Sequence, residues 1–155
     1  MSDTSDVTEA ARKALEAFYH HAKTQHKLFR TIPIKPRALG RGMIEFDVTL
    51  PELFADGDAI HGGLYTILLD TTLAAAAWTR MDTFQPLATI NLKTDFFGEA
   101  RAGEKLRLTA HCQSISNDVA FCQGTASTID GTPVAQADGT FIVGTSSPAV
   151  KGSRL

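Results

Sequence analysis

Apolar residues recur at Ala11, Leu15, Phe18 and Ala22 among good helix formers, and this spacing of three or four predicts an amphipathic helix from Val7 to about Lys27. Thr31 to Pro36 is short, β-branched and broken by prolines. From Gly42 to Leu50 the period changes to two, with Ile44, Phe46, Val48 and Leu50 set against Met43, Glu45, Asp47 and Thr49. The Gly40-Arg41-Gly42 turn between these runs predicts a hairpin. Pro51 to Ile60, with Gly57 and three acidic residues, reads as loop.

The stretch from about Gly62 to Met81 is apolar on nearly every face: Leu64, Tyr65, Ile67, Leu68, Leu69, Leu73, Ala74 to Ala77 and Trp78. A helix of that kind must be wrapped by other structure. Four strand-like runs supply the wrapper: Leu87 to Phe97, Lys105 to Ser116, Val119 to Ile129 and Pro133 to Val143. Turn signals at 98–103, Ser116-Asn117-Asp118 and Asp130-Gly131 separate them, which predicts an antiparallel meander. The expected class is α+β, a long central helix wrapped by a curved antiparallel sheet, with an extra N-terminal helix. The expected organisation is one domain: 1–30 a helical segment, 31–145 the main body, and 146–155 a frayed tail.

Composition narrows the function. The chain has 155 residues, 43% of them hydrophobic, enough for one core and too few for two ordinary domains. Fifteen basic and seventeen acidic residues, with no Lys/Arg stripe, argue against a nucleic-acid partner. The stretch 62–78 is interrupted by Asp70, Thr71 and Thr72 and is too short and polar to cross a bilayer, so no membrane association is expected. Met1 to Asp6 carries no apolar signal core, and a cytoplasmic location is expected. Cys112 and Cys122 have no metal or redox spacing. They read as reduced buried thiols, although a hairpin centred on Asn117 leaves a disulfide open.

Chemistry concentrates in the ten residues from His61 to Asp70. Glycines at a helix start allow a ligand close to the backbone, and the unpaired first-turn N–H groups favour a developing negative charge, as in an oxyanion hole. Gly62 and Gly63 are equally explained by a tight turn. Asp70 interrupts the apolar helix, and its carboxylate there requires a partner or an opening to a cleft. A local bond to Thr71 or Thr72, or an Arg partner, would explain it structurally, and a reactive role would explain it functionally. Gly62 and Asp70 lie eight residues apart, about 12 Å along a helix at 1.5 Å per residue. Reacting groups must approach to about 3–3.5 Å. If both act on one carbonyl they come from two chains, which implies at least a homodimer with two-fold-related sites.

The motif His61-Gly62-Gly63, six residues and then Asp70, with Thr89-Ile90-Asn91-Leu92, Ala102-Gly103-Glu104 and Ala135-Gln136-Ala137 downstream, resembles the PaaI-type (phenylacetate-pathway) hotdog-fold thioesterases. That group includes relatives of one kind of 4-hydroxybenzoyl-CoA thioesterase. The resemblance covers Ile60 to Val143 and implies hydrolysis of an acyl-CoA or aryl-CoA thioester to free acid and CoA, with CoA as part of the substrate and no cofactor or metal. It implies that Asp70 attacks the carbonyl or activates water, that the Gly62 N–H polarises the carbonyl from the neighbouring subunit, that His61 shapes the pocket, and that Thr89 positions water. Gly63 and Tyr65 fall on the substrate side, and Arg101 matches a position where relatives place a base near the CoA phosphates. Many relatives carry Asn or Gln six residues before the histidine, where this chain has Ala55; Asp56 or Asp58 are the candidate substitutes. Relatives pair the strand equivalent to Leu87–Phe97 with its own copy, and a tetramer is expected.

Other candidates carry less. His20, His21 and His26 lack an i,i+4 pair for a metal, and His111 alternates with polar neighbours. No GxSxG elbow is present. The competing readings are a non-catalytic module that binds acyl-CoA and a hotdog dehydratase, for which no HFP-like segment is found. Tyr65, Leu64, Leu68 and the first helix are candidates to line the acyl pocket, and they suit aromatic and aliphatic tails alike.

Overall fold

The computed structural model describes residues 7–145; the predicted tail at 146–155 and the first six residues lie outside them. Helix α1 runs Glu9–Thr24. The Thr8 side chain caps it by accepting from the Ala11 N–H at 3.2 Å. It stops short of Lys27, and a 3-10 turn at Phe29–Thr31 follows. The hairpin expected around Gly40–Gly42 forms between β1 (Ile34–Gly40) and β2 (Met43–Thr49). Gly42, at φ +71°, supplies the left-handed turn. The stretch read as loop contains a 3-10 turn at Glu52–Phe54 and a miniature ladder of β3 (Ala55–Asp56) with β4 (Ala59–Ile60).

Helix α2 spans Gly63–Arg80. Leu64, Leu68, Leu69 and Leu73 are at most 1% exposed, and burial of each stabilises the fold by roughly 1.5–3 kcal/mol. The remaining strands are β5 (Leu87–Phe96), β6 (Lys105–Ser116), β7 (Val119–Thr128) and β8 (Pro133–Val143). Together with β1 and β2 they form one antiparallel sheet in the order β1-β2-β6-β7-β8-β5. Helix α2 packs on β2, β5, β6, β7 and β8, while α1 rests on α2. Leu73 acts as a knob in a glycine socket: a Cβ on Gly124 or Gly139 would come within 3.0 Å of its two methyl carbons.

The order corrects the expected meander. Strands β6, β7 and β8 do follow one another, but β5 pairs with β8 at the sheet edge and β6 pairs with β2. Residues 97–104 are therefore a crossover and not a hairpin turn. Phe97 and Gly98 N–H groups donate to the Val134 carbonyl at 2.8 and 3.1 Å, whereas the Gly103 N–H donates to the Leu50 carbonyl at 2.8 Å, carrying the chain from β8 to the end of β2. Buried Ala100 anchors the crossing. Its carbonyl accepts from the Ile60 N–H at 2.8 Å, and its N–H donates to the Tyr65 hydroxyl at 3.0 Å.

Cys112 and Cys122 are free, buried and directly opposite each other on β6 and β7. The hydrogen bond between the thiols, reinforced by burial, pushes Cys122 well above the usual thiol range. Among the described residues no helix is long and apolar enough to cross a membrane.

Candidate active site

The start of α2 is held by neighbouring backbone. The His61 N–H donates to the Phe54 carbonyl at 2.9 Å, and the first helical turn tightens through Leu64 N–H to His61 and Tyr65 N–H to Gly62, each at 3.0 Å. The Gly63 N–H donates to His61 Nδ1 at 3.0 Å, so the exposed imidazole serves as a local cap and its Nε2 is left toward solvent. Among the described residues the Gly62 N–H has no protein acceptor. Gly62 is glycine for reasons of space: a Cβ there would sit 3.2 Å from the Phe96 ring. A donor at the positive end of an 18-residue helix, on a residue with no side chain of its own, suits an oxyanion.

Two turns further along, Asp70 is half-buried on the face of α2 that meets β5. Thr89 Oγ1 donates to its Oδ1 at 2.9 Å. Burial raises the Asp70 pKa above the ordinary aspartate value, and the Thr89 hydrogen bond offsets part of that rise. Neither structural explanation open at the sequence level applies. Thr72 spends its hydroxyl on the Leu68 carbonyl at 2.7 Å, and no ion pair reaches Asp70 among the described residues. The structure thus joins Asp70 to Thr89 and keeps Gly62 apart from both, about 12 Å up the helix axis.

The seam between α2 and β5 has a member the sequence reading missed. Thr66 lies midway between Gly62 and Asp70, and its Oγ1 donates to Thr94 Oγ1 at 3.3 Å. The spacing of four from Gly62 to Thr66 to Asp70 was the available signal.

The remaining candidates are placed differently. Tyr65 is 2% exposed, and its hydroxyl accepts from the Ala100 N–H at 3.0 Å, which ties α2 to the crossover. Burial raises its pKa, against the Ala100 hydrogen bond. Arg101 is exposed on that crossover, with its backbone N–H on Glu104 Oε2 at 3.0 Å, so Tyr65 indirectly sets where the Arg101 side chain begins. Ala55, Asp56 and Asp58 are exposed on the β3–β4 ladder. His26 Nδ1 accepts from the Leu28 and Phe29 N–H groups at 3.3 Å each. Among the described residues no group of three His, Cys, Asp or Glu stands together as a metal site.

Known proteins agree with this architecture. The PaaI protein of the Escherichia coli phenylacetic acid degradation operon superposes with a TM-score of 0.77 at 18% identity, over 88% of this chain and 95% of that one. A Ralstonia eutropha thioesterase-like, phenylacetic acid degradation-related protein gives 0.69 at 25% identity, over 81% and 98%. A Streptococcus pneumoniae thioesterase-type protein solved with coenzyme A gives 0.67 at 14%, over 74% and 92%. A Pseudomonas aeruginosa protein named for a proposed esterase activity is 34% identical over 65 residues, 42% of this chain; the match spans about half, 48%, of that relative. The sequence profile of the thioesterase superfamily matches residues 57–135, from the β3–β4 turn through the crossover into β8. With a hotdog architecture and a match over more than half its length, the chain belongs to the thioesterase superfamily.

Proposed function

We propose that the chain hydrolyses acyl-CoA or aryl-CoA thioesters, with Asp70 as nucleophile or general base and the Gly62 N–H as oxyanion donor from the opposite subunit. The observation that carries this reading is the half-buried Asp70 carboxylate, held by Thr89 with no cation beside it among the described residues. Burial without a counter-ion makes a carboxylate more basic, which suits proton abstraction. As a general base, Asp70 takes a proton from water while the hydroxide adds to the thioester carbonyl. The resulting oxyanion meets the Gly62 N–H, and the C–S bond breaks as the CoA sulfur receives the proton. As a nucleophile, Asp70 forms a mixed anhydride and expels the CoA thiolate, and water then cleaves the anhydride.

The same reading makes the protein a homo-oligomer, at least a dimer through β5 and preferably a tetramer. It needs no resident metal or cofactor. It places the chain in the cytoplasm, where two free buried thiols are at home, and it treats α1 and the hotdog body as one domain. The Streptococcus pneumoniae structure with coenzyme A supports a CoA-bearing substrate. An acyl-CoA-binding module without turnover is the second reading. It is favoured by one observation: Ala55 is exposed and its side chain can make no hydrogen bond to a substrate.

One substitution separates the two. Asp70→Asn preserves shape and removes the base, so turnover of a panel of aryl and aliphatic CoA thioesters should fall about a hundredfold to ten-thousandfold. Affinity for the same esters should persist. An unchanged rate removes Asp70 from the mechanism, and a wild type that binds every ester and turns over none establishes the binder.

A further inference from the structure

A cavity lies on the flank of α2 away from Asp70. It has a volume of about 1280 Å³ and runs between α1, the strands β1 and β2, and α2. None of Gly62, Asp70 or Thr89 lines it. Its α2 wall is Leu68, Thr71 and Thr72; at 3.6 residues per turn Leu68 and Thr72 project about 160° around the helix from Asp70 and Thr71 about 100°. Helix α1 leans on α2 and reaches the sheet edge through the hydrogen bond from the Tyr19 hydroxyl to the Ile34 carbonyl at 3.1 Å, and the cleft lies beneath it.

Two features define what fits. The floor is hydrocarbon, with Leu15, Phe18, Phe29, Ile32, Phe46 and Leu68. The rim is cationic, with Arg12, Lys23, Arg30, Lys35 and Arg37 beside Glu16 and Glu45, and Arg37 is already held by Glu45 at 3.4 Å and Asp47 at 3.8 Å. Lys23, Arg30 and Lys35 form no ion pair among the described residues. Lys23, Arg30 and Lys35 are exposed at the mouth of the cleft, where an anionic head group gains charge complementarity that a neutral occupant does not. A fully polar anion would leave the floor unused. The volume exceeds the usual range for drug-sized ligands, about 300–1,000 Å³, and so accommodates a long flexible chain.

We propose that this cleft binds a free long-chain carboxylate, its alkyl chain on the Leu15–Phe29–Leu68 floor and its head group among Lys23, Arg30 and Lys35, at a site separate from Asp70. The site stands independently of thioester hydrolysis, since it is defined by a cavity that the Asp70 seam does not share.

The test is calorimetric titration of the purified chain with sodium octanoate, decanoate and dodecanoate below their micelle concentrations, with dodecan-1-ol as the uncharged control. Dodecanoate is expected to saturate, binding at least about tenfold more tightly than octanoate, because each buried methylene is worth roughly fourfold in affinity. The alcohol is expected to bind at least about tenfold more weakly than dodecanoate. Arg30→Glu with Lys35→Glu should weaken dodecanoate by at least about tenfold, and Ala22→Trp, which fills the cleft from α1, should do so without altering rim charge. Asp70→Asn should bind dodecanoate as the wild type does. The proposal is overturned by absence of saturable dodecanoate binding, by unchanged affinity in both cleft variants, by loss of binding in Asp70→Asn, or by binding confined to phosphatidylglycerol vesicles. Because the readout is heat of binding, a wild type that hydrolyses nothing leaves the result intact.

Discussion

At the scale of single residues the activity should follow the titration of Asp70. Burial raises its pKa and Thr89 partly offsets that rise, so kcat/KM should fall as the pH drops through a value above that of free aspartate. Thr89→Val keeps the volume and removes the donor. The acidic limb of the profile should then move to higher pH, and an unmoved limb would show that Thr89 does not hold the reactive carboxylate. The same pKa has a stability consequence of definite sign. A carboxyl whose pKa is raised on folding binds its proton more tightly in the folded chain, so stability declines as pH rises from the unfolded pKa through the folded one. Asp70→Asn removes that decline. Its melting temperature should exceed the wild type's most at neutral pH, with the advantage shrinking under acidic conditions. Asp70 was legible as a single residue, because a charge in an apolar helix is conspicuous, whereas Thr89 was marked only by the family resemblance. The role of Tyr65 was not: its hydroxyl is used by Ala100, 35 positions away, and nothing local to either residue announces the bond.

Among elements, α1 and β2 were legible to within a few residues because their periods, 3.6 and 2, are written into the sequence, and α2 because it is apolar on nearly every face, whereas the two-residue strands β3 and β4 are too short to show a period. The adjacency of strands was not. The segment 97–104 has the glycines of a turn, but its destination is set by Leu50 and Val134, partners remote in sequence. The packing of α2 onto the sheet offers a sharper check. A Cβ added to Gly139 on β8 would meet the Leu73 methyl at 3.0 Å, so Gly139→Ala should overpack the socket at a cost of about 1–3 kcal/mol. Leu73→Ala alone should cost about 2–5 kcal/mol. With Leu73 already truncated, Gly139→Ala should cost clearly less than in the wild type, and urea denaturation of the four chains measures the difference. Equal cost in both backgrounds would mean that Leu73 does not fill this socket.

At the scale of the whole molecule, β5 ends the sheet with one edge unpaired and carries Ile90 and Phe96 more than half exposed. An open apolar strand edge is a template for a second chain. Sedimentation should therefore find a species of at least twice 16.7 kDa, and Ile90→Lys should shift it toward the monomer with loss of turnover although Asp70 is intact. The two-chain site predicts complementation as well. Gly62→Val, blocked by Phe96, and Asp70→Asn should each be inactive, yet their co-expressed mixture should regain activity at about a quarter of the sites, since each mixed dimer restores one of its two. No recovery would place both groups within one chain. The pairing of β5 with β8 also has a temporal meaning. During synthesis the strand bearing Thr89 emerges early and then waits for the last strand before it has a neighbour. Such non-local pairing is slow to close. The carboxylate gains its threonine, and the sheet its open edge, only once nearly the whole chain has been made. On the proposed reading, a truncated or half-folded product would lack both the Asp70–Thr89 pair and the strand edge for assembly.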